Sequence, residues 1–274
     1  MLAFTAPTRN FLFALCCGTL ALSPAQSFAQ DFENRAAHVA EWIGTHQLLE
    51  DVAEGARNMA DPTWGFSDEY IEAWHEAVAI AFDHEHMKSD LHGFLAEQLT
   101  EDELSAIEAL ENDDAMVAYI QTAEELTVET DEEREAYIAR VVQLLEEAPA
   151  SQNAIYRDIF ELQGGPERGA LLVETMLRVM EVVSVPEFGA EYTQLMIDAA
   201  EEQNLTETYT EQFFIGTVGV FDALSEEHLQ AMYTIVSDPV LISYGEGSEA
   251  AFAATYHAAI DRLEKTFAET LEAR

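Results

Sequence analysis

The stretch Leu99–Tyr119 returns as Leu224–Tyr244 at a constant spacing of 125 positions, so any fold must accommodate the same local structure twice. Each copy reads as helix, sharp turn, helix. The first runs Leu99-Thr100-Glu101-Asp102-Glu103-Leu104, Ile107, Leu110, Asn112-Asp113, Met116-Val117, Tyr119. The second runs Leu224-Ser225-Glu226-Glu227-His228-Leu229, Met232, Ile235, Ser237-Asp238-Pro239, Leu241-Ile242, Tyr244. Thr100 can accept a hydrogen bond from the amide of Glu103 while the Glu103 carboxylate reaches back to the amide of Thr100, a capping box. Leu99 and Leu104 flank the cap as a hydrophobic staple, and Leu224 and Leu229 repeat it. Ser225 keeps the cap but faces His228, so half the box survives there. Asp113 and Asp238 are expected to cap the following helices, with Pro239 at a first helical position where no amide is needed.

The rest of the chain carries the helical period. Asp31 to Met59 predicts one broken or two consecutive helices with weak points at Gly44 and Gly55, then a turn over Asp61-Pro62 to Phe66. Ser67 is expected to cap a long helix toward Leu95, kinked at Gly93. Thr130-Asp131-Glu132-Glu133 reads as a further capping box, opening a helix through Tyr137, Val141 and Leu145. The pattern lapses between Ala148 and Asn153, and Gly164-Gly165-Pro166 is a strong stop. Leu171-Leu172 echoes Leu48-Leu49, and Tyr192 echoes Tyr70. No stretch alternates with period two, although Ile235-Val236 is β-prone. The expectation is an all-α chain of two related multi-helix units from an internal duplication: signal peptide 1–29, first unit 30–150, second unit 151–274.

Residues 1–29 read as a secretory signal peptide, with Arg9, an apolar stretch Phe11–Leu22 and a Ser27-Phe28-Ala29 cleavage site. That stretch is short for a membrane span. Cleavage would remove Cys16 and Cys17, leaving no thiol nucleophile, disulfide or thiolate ligand. The expected location is the bacterial periplasm or exterior. Acidic residues outnumber basic ones 53 to 12, a formal net charge of −41. Such a surface repels nucleic acid and anionic lipid, whose binding needs Lys and Arg to displace counterions. Solubility in salty surroundings accounts for the charge.

Chemistry-bearing patterns are sparse. His75, Asp83, His84, Glu85, His86, Asp90 and His92 cluster, and Asp83, His86 and Asp90 fall on one helical face at i, i+3 and i+7, a geometry open to a divalent cation. The zinc-protease spacing is missing, because Ala79 and Lys88 stand where the second His would be. A solvated acidic face explains the same residues without a metal, and no metal ligand is assigned. There is no Gly-x-Ser-x-Gly elbow, and Gly164-Gly165-Pro166 lacks the Lys of a phosphate loop. Most aromatics are assigned to core, with Phe213-Phe214-Ile215 a candidate lining for a groove between the halves.

The repeated hairpin resembles the exported bacterial family called domain of unknown function 2059 (DUF2059). Leu99-Thr100 through Glu103-Leu104 matches the family's opening, Leu224-Ser225 through Leu229 matches it with His228 for Glu, and Ser237-Asp238-Pro239 resembles its turn. Ala109-Leu110 and Thr234-Ile235 depart from the family's aromatic pairs, and Ala115 and Val240 from its Gly. The resemblance implies an all-helical exported domain, here twice over, and carries no catalytic residue. The chain is therefore expected to be a protein-interaction or binding module of the cell envelope rather than an enzyme, with no cofactor and a protein partner. The alternative is a divalent-cation binding protein using the Asp83–His92 region.

Overall fold

Ser67, Thr100, Asp113, Ser225 and Asp238 each start the helix expected of them. The computed structural model describes residues 24–44, 46–126, 131–202 and 204–274, and these contain helices and turns but no strand. The helices are α1 (Pro24–Ile43), α2 (His46–Asn58), α3 (Asp68–Ala81), α4 (His84–Gln98), α5 (Glu101–Glu108), α6 (Asp114–Glu125) and α7 (Asp131–Glu147). After them come α8 (Ala150–Leu162), α9 (Gly165–Phe188), α10 (Ala190–Glu201), α11 (Leu205–Ala223), α12 (Glu226–Val236) and α13 (Pro239–Glu272). A 3₁₀ turn, Pro62–Trp64, bridges α2 and α3, its Asp61 cap accepting from the Thr63 amide. Most of the expected signal segment and the Thr130 cap lie outside the described residues.

The capping box is complete at α5: the Glu103 amide donates to Thr100 Oγ1 at 3.4 Å, and the Thr100 amide donates to Glu103 Oε2 at 2.7 Å. At α12 the His228 amide donates to Ser225 Oγ at 3.1 Å. Asp113 accepts from the amides of Ala115 and Met116. Asp238 accepts from the Val240 amide at 2.8 Å. Gly44 and Gly164 both sit at positive φ, +77° and +70°, where a side chain is disfavoured. They break α1 from α2 and α8 from α9. Gly55 stays within α2.

One expectation needs correction. The long helix from Ser67 is two helices, broken at Phe82-Asp83 and not bent at Gly93, because Asp83 accepts from the His86 amide at 3.0 Å and starts α4 anew. Phe82 at the break is buried, so packing rather than helix propensity fixes that corner. The β-prone Ile235-Val236 ends α12 as helix, in keeping with the absence of a period-two pattern.

The helices pack in a repeating order in which the halves exchange their ends. In the first half α1 lies against α4 and α5, and α2 against α3 and α4; in the second half α8 lies against α11 and α12, and α9 against α10 and α11. Across the halves, α4 and α5 pack on α13, while α11 packs on α6 and α7, and α12 on α6. The likeness fails at α3 and α10. α3 is covered by α13, whose Phe267 meets the Trp74 and Tyr70 rings edge-on at 5.0 and 5.2 Å. On α10, Tyr192 and Leu195 stand 54% and 65% exposed, whereas Tyr70, which Tyr192 echoes, is buried and donates to the Val183 carbonyl at 2.6 Å.

Candidate binding cleft

The second helices of the two halves, α2 and α9, meet along a cleft that α11 closes on one side. Leu48, Val52, Gly55, Ala56 and Met59 line it from α2, Leu172, Thr175, Met176 and Val179 from α9, and Tyr209 and Phe213 from α11. Those positions recur at three, four or seven residues, the spacing that keeps a single helix face turned to one side. The cleft encloses about 260 Å³. An engineered apolar cavity of about 150 Å³ takes up benzene, so this one has room for about ten non-hydrogen atoms.

The α2 wall is held from behind by donors reaching its carbonyls. Trp74 Nε1 donates to the Ala56 carbonyl at 2.9 Å, at a helix end whose last carbonyls lack intrahelical partners. Tyr256 Oη donates to the Leu48 carbonyl at 3.4 Å. Gly55 is exposed and has nothing within 4 Å of where a Cβ would be, so the wall is open at its middle. Methionines at Met59 and Met176 give the lining adaptable, polarizable surface.

Thr175 is the chemically unusual member of the wall. It is 2% exposed, and its Oγ1 has no hydrogen-bond partner. A buried helical threonine ordinarily returns its hydroxyl to the carbonyl four residues back, as Thr255 does to Ala251 at 2.8 Å. Leaving a buried hydroxyl unpaired costs about 1–3 kcal/mol.

The sequence-derived residues divide sharply. Phe213 lines the cleft as expected of a groove between the halves, while Phe214 and Ile215 are buried in the core. The Asp83–His92 residues are occupied in the fold: Asp83 caps α4, Asp90 pairs with Arg262 of α13 at 2.5 Å, and Arg262 Nε also donates to the Ala81 carbonyl that ends α3. His86 is exposed, 3.9 Å from Asp83. Among the described residues, no group of three His, Cys, Asp or Glu side chains is gathered so as to hold a metal ion. The sequence marked Gly55 only as a weak point in a helix and gave no sign of Thr175, Met176 or Tyr209, because periodicity assigns a residue to a face without saying what covers that face.

A second polar cluster lies where the α8–α9 turn meets α13. Glu249 packs onto Gly164, where any Cβ would collide with its carboxylate, and its Oε1 stands 3.8 Å from Arg168 Nη2. Glu249 Oε1 and Arg168 Nε are both buried without hydrogen-bond partners. Burial, opposed by Arg168 and reinforced by Glu167 and Glu246, pushes the Glu249 carboxyl up to about 7. Tyr119 and Tyr244, which end the two copies of the repeated hairpin, both feel the Arg168 charge, and burial raises both phenols.

Among the described residues, no helix is long and apolar enough to cross a membrane. No family model, curated protein or solved structure matches the chain.

Proposed function

We propose that the protein is an exported binding module of the bacterial cell envelope, built by duplication of one helical unit, and that it takes up an apolar group in the cleft between α2, α9 and α11. The observation that carries this reading is the cleft itself: an apolar hollow between the halves, with a buried hydroxyl left unpaired in its wall. Concave, mostly apolar sites with a few placed polar groups are the usual form of a small-ligand site. The duplication rests on the caps Thr100 and Ser225, Asp113 and Asp238, and on the parallel packing of α1–α5 and α8–α12. Export rests on the composition of residues 1–29.

Titration with 1-aminonaphthalene, an uncharged fluorophore of suitable size, tests the reading. Emission should rise and move to shorter wavelength with saturation. Gly55→Phe, which places a ring in the open middle of the wall, should abolish the change while leaving helicity and melting intact. Absence of saturable binding, or equal binding by the variant, refutes the reading.

A further inference from the structure

We propose that the outer face of α10 docks a cationic amphipathic helix of another protein, laid across Tyr192 and Leu195 as α13 is laid across Tyr70 on α3. The proposal is independent of the cleft and its guest. It rests on a face that the fold covers once and leaves open once.

At the spacing of 122 that relates Tyr192 to Tyr70, positions 70, 73 and 77 of α3 correspond to 192, 195 and 199 of α10. In each helix these recur at i, i+3 and i+7 and share one face. On α3 they are Tyr70, Ala73 and Ala77, all buried, and α13 crosses that helix. On α10 they are Tyr192, Leu195 and Ala199, all exposed, while the helix packs on α9 and α11. A row of rings joins the two tyrosines: Tyr70 stacks on Phe66 at 5.1 Å, Phe66 meets Phe188 at 4.9 Å, and Phe188 meets Tyr192 at 5.6 Å. One end of the row is closed by Phe267 of α13, edge-on to Tyr70 at 5.2 Å. The other end stands 54% exposed at Tyr192, with Leu195 one turn on at 65%. Contiguous apolar surface with a polar rim marks an interaction site.

Charge selects the partner. α13 brings a cation to α3, since Arg274 donates to Glu72 at 2.8 Å and to Glu76 at 3.2 Å. At the same spacing Glu69 and Glu76 correspond to Glu191 and Asp198, both exposed on α10. From residue 187 to residue 202 the chain holds five acidic residues and no Lys, Arg or His. A helix with Lys and Arg along its edges is electrostatically complementary to that surface, and its apolar stripe matches the i, i+3, i+7 row. A second copy, at a net charge of −41, and an anionic lipid surface are both repelled.

Fluorescence anisotropy of a labelled peptide, titrated with the full chain, tests the proposal. The probe is the sequence of residues 251–274, which carries Phe267 and Arg274, with Glu264→Lys, Glu269→Lys and Glu272→Lys at three exposed positions, so that its apolar face is kept and its edges become basic. It should bind with saturation. The double variant Tyr192→Ala, Leu195→Ala should bind it about tenfold more weakly with an unchanged melting temperature. The peptide with its three glutamates restored should bind the unaltered chain about tenfold more weakly than the basic one. Absence of saturable binding, or equal affinity for the two peptides, overturns the proposal. Undiminished binding by the double variant would be general attraction to an acidic protein, and a fall in its melting temperature would make the two side chains structural; either result also overturns it. Sedimentation velocity of the chain alone and flotation with phosphatidylglycerol vesicles address the other occupants. Dimerisation or vesicle binding that the double variant loses would assign the face to a second copy or to lipid, and the proposal falls.

Discussion

Ser243 of α13 donates its hydroxyl to Glu103 of α5, tying the second half's last helix to the first half's capping box. Glu103 is buried, and the Ser243 hydroxyl and the Thr100 amide hold its carboxyl below the usual range. The corresponding pair in the other copy is His228 and Ala118, which cannot make this bond. Of the two matching stretches, only the first thus carries a cross-link to the other half.

That asymmetry makes the two caps unequal. Thr100→Ala should destabilise by about 1 kcal/mol or somewhat more, since it loosens the residue that orients Glu103. Ser225→Ala should cost less. Urea unfolding of both variants decides the matter, and equal losses would show that the reciprocal bond contributes nothing.

Glu249 predicts a pH signature. Its carboxyl is raised to about 7 in the folded chain from an ordinary 4.5, so the native state binds the proton more tightly than the unfolded state. The associated stability is fully present below pH 4.5 and is lost as pH rises through 7. A shift of this size corresponds to roughly 3 kcal/mol for a buried group, and solvent screening of this partly buried one lowers the expectation to about 2 kcal/mol. Glu249→Gln should therefore stabilise at pH 8 and be nearly neutral at pH 4.5. A gain independent of pH would assign the effect to packing against Gly164.

Arg262 closes the corner between α3 and α4 by binding both Asp90 and the Ala81 carbonyl. Arg262→Ala strands the Asp90 carboxylate, 30% exposed, and the carbonyl of buried Ala81, and should cost about 2 kcal/mol. His86→Ala, at a side chain 70% exposed, should stay within about 0.5 kcal/mol. Thermal melts would show the contrast, and a large loss in His86→Ala would point to a role for the histidine cluster that its contacts do not explain.

The net charge of −41 predicts that folding is strengthened by screening. The Debye length falls from about 30 Å at 0.01 M salt to about 8 Å at 0.15 M. The urea midpoint should rise over that range. A midpoint that stays fixed would mean that native ion pairs, such as Arg35 with Glu101 and Glu108, offset the repulsion.

The sequence alone determined the all-α class and a set of helix ends. Thr100, Asp113, Ser225 and Asp238 cap where expected, and Gly44 and Gly164 break where expected, because a cap or a break is decided by groups within about four residues of one another. The break expected near Gly93 falls instead at Phe82-Asp83, where Asp83 caps α4 and Phe82 is buried. Only the tertiary structure decided that α13 crosses to cover α3 and α4, that Asp90 belongs to Arg262, and that the Thr175 hydroxyl is left unpaired. The cleft joins residues from Leu48 to Phe213 on three helices. Each helix writes its apolar face into the sequence, but where three such faces fail to fill the space between them depends on how the helices cross, and no single stretch of chain encodes that.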